Sequence, residues 1–430
     1  MTAPPLRPRP YPATPGLVRR TAADFSAAER RSRGVRGHLI QADLDLRPAE
    51  PRLVSTAHGR IERMLLTVPS YAVQSPPLAA VYGSLLRTLR PEVALTILTH
   101  ESVEGTVSGW RRGDDDVVLA VPDHLLFSVW AEDGYVMALG DGGRGDTWFV
   151  EPYAFPRYGD GLVAELVSNG TGLRKAQAPL YFQGGNVLIG DDFVLLGADY
   201  PAESLEYVGD VLAPAPGESP AGLVRRLYSE YLDTSRRLLY LGSTIPVPAE
   251  DARPVGIDGQ QWTEIVHTGN AAATVQPVFH IDMFVTLAGR GDDGRYRVLV
   301  GDPSLAARLV GERVAPHAMP EVFDSIAAVL GRLGFDVVRN PLPLVYVDDP
   351  AERLRIWYFA TANNALVEPG RVILPTYGHG AWGSLEVVDR ANAELWRSLG
   401  FEVAELADCH PLAEALGSVH CIKKYVRRST

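Results

Sequence analysis

The sequence predicts an α/β protein built from a repeated ββαβ module, and two observations carry that prediction. From Arg60 onward, short apolar runs alternate with amphipathic segments of helical spacing. Two such segments also end in the same pattern, Leu-Gly-Phe-acidic-Val, at Leu333 to Val337 and again at Leu399 to Val403. In both, glycine stands where a helix C-terminus takes a left-handed residue, and a strand begins at once. The spacing of the two copies makes a faint internal repeat.

Taken in order, the first 40 residues read as a Pro/Arg-rich arm. MTAPPLRPRPYP favours extended, solvated backbone, and Thr21 is placed to cap a short helix over residues 22–33. Arg19, Arg20, Arg30, Arg31, Arg33 and Arg36 form a basic run, read as a solvated face or as one lying against the acidic body. Met64 to Val68 predicts a buried strand, Leu78 to Leu89 a helix and Val93 to Thr99 the next strand. Val322 to Leu333 predicts a helix that runs into a strand from Phe335 to Val338. Asn392 to Leu399 does the same into Phe401 to Ala404. Residues 41–430 show no obvious linker and are expected to form a single domain.

The composition excludes several classes. With 41 basic and 52 acidic side chains the net charge is −11, which argues against sequence-independent nucleic-acid binding. No apolar run approaches the roughly 20 residues of a membrane span, and the N-terminus lacks the apolar stretch of a signal peptide. A cytoplasmic location is therefore expected. Two cysteines, Cys409 and Cys421, cannot build a disulfide framework. A homo-oligomer is compatible with all of this.

Familiar motifs fail on inspection. Gly140 to Gly145 matches GxGxxG, but the aromatic stretch after it reads as a strand, so a hairpin loop is the better account than a dinucleotide site. There is no GxSxG, Walker A or HExxH. His280 and Asp282 lack a third ligand at metal spacing, so neither a metal nor any other cofactor is called for.

Five segments instead form one constellation: Trp130 to Gly134, Gln183 to Asn186, Phe279 to Phe284, Asn363 to Leu366, and Gly417 to Ile422. Singly, each has a plain reading. Asp133 suits a turn, Gly184-Gly185 a tight bend, and Cys421 between Val419 and Ile422 a core thiol. On a strand, His280 and Asp282 would face one side, as a hydrogen-bonded polar pair. By the same alternation His420 would face away from Cys421 and take no part in chemistry.

In this order and spacing, the set resembles the guanidino-group-modifying (pentein) superfamily, and most closely the agmatine deiminases and bacterial peptidylarginine-deiminase-like proteins. The shared elements are Trp-x-x-Asp, followed here at once by Gly134, a Gly-Gly segment, His-x-Asp and a C-terminal Cys-Ile, across about residues 60–425. The resemblance implies a pseudo-fivefold α/β propeller of ββαβ modules. It also implies Cys421, His280, Asp282 and Asp133 as catalytic residues, with Trp130, Gln183 and Asn364 lining the substrate. The implied partner is a small cationic guanidino compound or a peptidylarginine. Three positions depart from the pattern. Gln183 replaces an acidic residue, Glu132 stands where agmatine deiminases carry arginine, and Gly417-Ser418 replaces Gly-Gly.

The chemistry asks for these residue types on its own account. A guanidinium carbon is a poor electrophile, so attack needs a thiolate, here Cys421. The leaving amine needs a proton and the incoming water must lose one, which suits His280. Two carboxylates, Asp133 and Asp282, can hold the planar cation by paired N–H bonds. The expected reaction is hydrolysis to a ureido product and ammonia through a thiouronium. The alternatives are transfer of the amidine to an amine, and a protein that keeps the fold without the chemistry. A free arginine substrate would also need a carboxylate partner, for which Arg144, Arg157 and Arg174 are the candidates.

Overall fold

The computed structural model describes residues 46–429 apart from 154, 158, 209–211, 249–251 and 267–273. The arm expected over residues 1–40 lies outside the described residues. The described chain falls into two compact units. One holds residues 46–73, Arg90–Leu241 and 421–429, and the other holds Gln74–Leu89 and Gly242–His420.

Five of the six sheets among the described residues share one plan: an antiparallel pair whose second strand pairs in parallel with a third, reached through a helix. The first unit carries three of them. Lys423–Arg428 pairs antiparallel with Ile61–Val68, which pairs in parallel with Ala94–His100 and so on to Val117–Val121. Val136–Leu139, Thr147–Glu151 and Arg174–Gln177 form the second module, with Arg52–Leu53 on its outer edge. Val187–Ile189, Phe193–Gly197 and Arg237–Leu241 form the third. Among them Ile61–Val68, Val187–Ile189 and Phe193–Gly197 are apolar and almost wholly buried, as strands covered on both faces are. Leu223, Leu227 and Tyr231 of helix Pro220–Tyr231 pack on Val136, Trp148, Val150 and Leu196 in one core. Each such fully buried side chain contributes roughly 2 kcal/mol of apolar burial.

The second unit carries the other two modules. Val285–Arg290, Tyr296–Asp302 and Asp336–Pro341 form the fourth, and Leu366–Glu368, Arg371–Thr376 and Glu402–Asp408 form the fifth. Helix Pro76–Thr88 lies in this unit. The Ala407 N–H donates to Ser84 Oγ at 3.1 Å, and Arg371 donates to the Thr88 carbonyl at 2.7 Å. The sixth sheet departs from the plan. Its hairpin Ala252–Ile257 and Gln260–Val266 joins Leu354–Phe359 in parallel, and Leu344–Asp349 completes it. The sequence reading did not anticipate this extra sheet: its hairpin strands are polar and largely exposed, while Leu344–Asp349 and Leu354–Phe359 do carry apolar runs that went unassigned.

The two repeated junctions end their helices as the sequence predicts. Helices Pro320–Arg332 and Glu386–Ser398 stop before Gly334 at φ 94° and Gly400 at φ 88°. The Phe335 and Phe401 N–H groups reach back to the carbonyls of Leu330 and Trp396, each at 3.1 Å, and Gly334 and Gly400 donate to Gly331 and Arg397. These bonds satisfy carbonyls that the helix end would otherwise leave bare. Gly140–Gly145 joins two antiparallel strands, as expected of a hairpin loop.

Replacing Gly334 or Gly400 by alanine puts a Cβ on a left-handed residue, which is expected to lower the unfolding free energy by about 1–2 kcal/mol. At Gly331, a Cβ meets nothing within 4 Å. Gly331→Ala should therefore leave stability unchanged or raise it by up to about 1 kcal/mol. Denaturant midpoints of the three variants check both statements.

Candidate active site

All five segments singled out in the sequence occupy the same place in their modules: each runs directly into the module's first strand. Trp130 to Gly134 leads into Val136–Leu139, Gln183 to Asn186 into Val187–Ile189, and His280 to Met283 into Val285–Arg290. Asn363 and Asn364 lead into Leu366–Glu368, and Gly417 to Ile422 into Lys423–Arg428. Each of these approaches is a buried turn rather than a strand, so its polar groups need partners outside any ladder.

In the first unit, three of the turns are hydrogen-bonded to one another. The Glu132 N–H donates to the Cys421 carbonyl at 3.1 Å, and the Gly184 N–H donates to the Asp133 carbonyl at 3.0 Å. A Cβ at Gly184 would overlap the Glu132 carbonyl oxygen, so the close approach requires glycine. The Glu132 carboxylate then takes Lys423 Nζ at 2.7 Å and Lys424 Nζ at 2.8 Å. All three side chains are buried. One carboxylate thus clamps the strand that follows Cys421 onto the loop that carries Asp133. Trp130 is buried in the same loop, its N–H donating to Ser128 Oγ. Gln183 Nε2 donates to the Tyr181 hydroxyl at 2.9 Å.

Asp133 itself holds a guanidinium from its own chain. Arg157 Nη2 lies 2.6 Å from Asp133 Oδ2, and Arg157 Nε lies 2.5 Å from Asp160 Oδ2. Burial pushes the Asp133 carboxyl above its ordinary value against the pull of Arg157. Burial also opposes the charge on Arg157, and Asp160 and Asp133 more than offset it, so that this guanidinium is held all the more firmly protonated. Of the other two arginine candidates, Arg174 lies over the Trp148 ring at 3.8 Å, and Arg144 sits in the hairpin loop after Val136–Leu139.

In the second unit, the remaining residues gather around Asp282. His420 Nδ1–H donates to Asp282 Oδ2 at 2.8 Å, and both side chains are buried. Asn364 joins the two segments: its Nδ2 donates to the Asp282 carbonyl at 3.4 Å, and its own carbonyl accepts the His420 N–H at 3.1 Å. Ser418 is fixed by the Tyr377 hydroxyl at 2.9 Å. His280 is fully buried, its ring 4.1 Å from that of Phe279.

Two expectations are corrected here. His280 and Asp282 do not share a strand face, because residues Ile281–Met283 form a 3-10 turn after an extended His280. Likewise Val419 to Ile422 is a turn, so strand alternation does not apply to His420, which is drawn to Asp282 instead. Period-two reasoning failed at both places because apolar neighbours inside a buried turn look like a strand. His420, Glu132, Lys423 and Lys424 are the polar residues of the site that the sequence reading left without a role, and Arg157, a candidate partner for a substrate carboxylate, is instead paired with Asp133 and Asp160. The placement of the chain's three lysines, two of them just beyond Cys421 at 423 and 424, was the one signal available for the clamp.

Cys409 is apart from this chemistry. Its thiol is buried, donates to the Ala407 carbonyl at 3.2 Å, and is pushed up by burial. His410 is a satisfied core histidine, bonded to Tyr358 and stacked on Trp382. Among the described residues no helix is long and apolar enough to cross a membrane, and no three His, Cys, Asp or Glu side chains are grouped to hold a metal ion.

No family model and no curated protein matches the sequence. Solved structures do match in fold. A structure provisionally named a peptidyl-arginine deiminase aligns with a TM-score of 0.58 at 13% identity, covering 87% of this chain and 98% of its own. The agmatine deiminase of C. jejuni aligns at 0.56 and 12% identity, covering 87% of this chain and 96% of its own. A cysteine-to-serine variant of that enzyme with substrate bound aligns at 0.55 and 11% identity, covering 87% and 97%. At these identities the likeness is one of fold.

Glu132→Ala removes the carboxylate that two buried ammonium groups share, and is expected to cost about 3 kcal/mol or more of stability, measured by denaturant unfolding. Cys409 should stay unreactive toward a thiol reagent at about pH 8 in the native protein and react once unfolded, as peptide mapping of the labelled protein will report.

Proposed function

From a chain with the fold of the guanidino-group-modifying superfamily, we propose a thiol-dependent hydrolase that acts on the guanidino group of a small cationic compound such as agmatine, arginine or a peptidylarginine. The observation that carries this reading is the common placement of the five segments, one at the entry to the first strand of each module. Five unrelated turns would have no reason to fall at equivalent positions with the nucleophile, imidazole and carboxylates that the reaction needs. The substrate-bound cysteine-to-serine variant of the C. jejuni enzyme, of like fold, supports a thiol in the leading role. The pseudo-fivefold arrangement of the modules belongs to the same proposal.

In this reading the Cys421 thiolate adds to the guanidinium carbon. The C–N bond to one amino group breaks, and His280 gives its proton to the departing ammonia. The S-alkylthiouronium left on Cys421 is then attacked by water, whose proton returns to His280. Collapse of the second adduct expels the thiolate, its hydroxyl proton passes to solvent, and the neutral ureido product is left. Asp133 and Asp282 hold the planar cation by charge-assisted hydrogen bonds. Trp130, Gln183 and Asn364 line the substrate. The neutral Gln183 in place of a carboxylate lowers the negative charge of the site, which suits a substituted guanidine. A reducing, cytoplasmic setting fits a mechanism that needs one free thiol.

The test incubates the protein with agmatine, arginine, a peptidylarginine and methylguanidines, with and without an added amine. Ammonia and ureido product in equal amounts are expected from at least one substrate. Cys421→Ala should abolish turnover and His280→Ala should reduce it by about two orders of magnitude or more. Amidine appearing on the amine with no ammonia released would replace hydrolysis by amidine transfer. Full turnover by Cys421→Ala would reject the covalent mechanism.

A further inference from the structure

We propose that Arg157 is a built-in occupant of the guanidinium subsite and sets its selectivity: it holds Asp133 until a ligand with a guanidinium of its own takes its place. This rests on the reading of Asp133 as the carboxylate that receives the substrate.

Arg157 is bound as a guanidinium ligand would be. Two edges of its planar fork meet two carboxylates, Asp133 at 2.6 Å and Asp160 at 2.5 Å, and its carbon lies 4.9 Å from the centre of the Phe155 ring. Both carboxylates are buried and the Arg157 side chain is 9% exposed. Asp160 is fixed by other bonds as well: its two oxygens accept the Ser128 N–H and the Ser128 hydroxyl, each at 2.6 Å. Asp133 is fixed through its backbone, which accepts the Gly184 N–H. The Asp160 carboxylate and the Asp133 backbone are therefore held by groups other than Arg157. The arginine lies outside any strand or helix, after Thr147–Glu151 and before the 3-10 turn Asp160–Leu162, so no ladder opens when its side chain withdraws.

Displacement by a second guanidinium leaves the charge and the hydrogen bonds at Asp133 unchanged. An incoming ammonium matches the charge but not the planar fork, and puts a compact point charge where the fork spans Asp133 and Asp160. The occupant thus sets a threshold that guanidines cross and simple amines do not. It also lowers apparent affinity by the fraction of molecules in which the subsite is open.

The test compares binding of methylguanidine and of butylamine, by calorimetry, to the unsubstituted protein and to Arg157→Met and Arg157→Lys. Both variants are expected to bind methylguanidine more tightly, by about tenfold for Arg157→Met if the subsite is open in one molecule in ten. The preference over butylamine should fall at the same time. In the unsubstituted protein, the Arg157 Nε–H should exchange with solvent faster, as NMR reports, when methylguanidine saturates the site, a readout that needs no variant to fold. Equal or weaker methylguanidine binding by the folded variants would overturn the inference. So would an Arg157 Nε–H whose exchange is unchanged at saturation, or an absence of methylguanidine binding to every form. A failure to turn over any guanidine would defeat the hydrolase reading alone, because none of these measurements needs catalysis.

Discussion

A turn buried away from water keeps its backbone polar groups only if neighbouring chain supplies their partners, and each of the five modules begins with such a turn. That requirement accounts for much of what surrounds the candidate active site. Glycine at 184 admits the Glu132 carbonyl, and Asn364 serves two segments at once through its side-chain amide and its own carbonyl. Ser418 and Tyr377 tie a third turn. Residues that satisfy buried backbone are constrained as tightly as residues that do chemistry, so the two kinds stand side by side in the same short segments.

The electrostatics of the first unit follow from the same economy of partners. Glu132 faces two ammonium groups, while Asp133 and Asp160 face one guanidinium. Neighbouring acidic residues in one loop are thus separated by their counter-ions. Lysine suits the first role because a compact ammonium lets two charges converge on one carboxylate. Arginine suits the second because its fork spans two. In a chain whose basic residues are almost all arginine, lysine at 423 and 424 is a geometric choice.

The regular elements were legible because they obey local rules: apolar period, a glycine after the last helical turn, a strand resumed at once. Helices Pro320–Arg332 and Glu386–Ser398 and the strands after them fall where those rules put them. The motif residues were legible from their order, and Cys421 and Asp133 do fall in one unit with hydrogen-bonded loops. What escaped was long-range. His420 and Asp282 are 138 residues apart, Lys423 and Glu132 are 291 apart, and nothing local to any of them marks the partner. Arg157 was singled out only as a partner for a substrate carboxylate; its pairing with Asp133 and Asp160 escaped for a different reason, since one arginine among many in a loop carries no pattern. The hairpin of the sixth sheet escaped because polar, largely exposed strands lack the apolar runs on which strand prediction depends.

That sheet has its own consequence for the second unit. Its hairpin at Ala252–Val266 comes from the connection ahead of His280, and Leu344–Phe359 comes from the connection ahead of Asn364. Two long excursions of chain are therefore laced together by parallel pairing between Gln260–Val266 and Leu354–Phe359. Left separate, each would carry its own loop-closure entropy; joined, they restrict one another while lying outside the repeating modules. An appendage of this kind can lengthen, shorten or change its outer face without altering the register of any module. It is the part of the molecule best placed to diverge between relatives while the turns that follow it stay as they are.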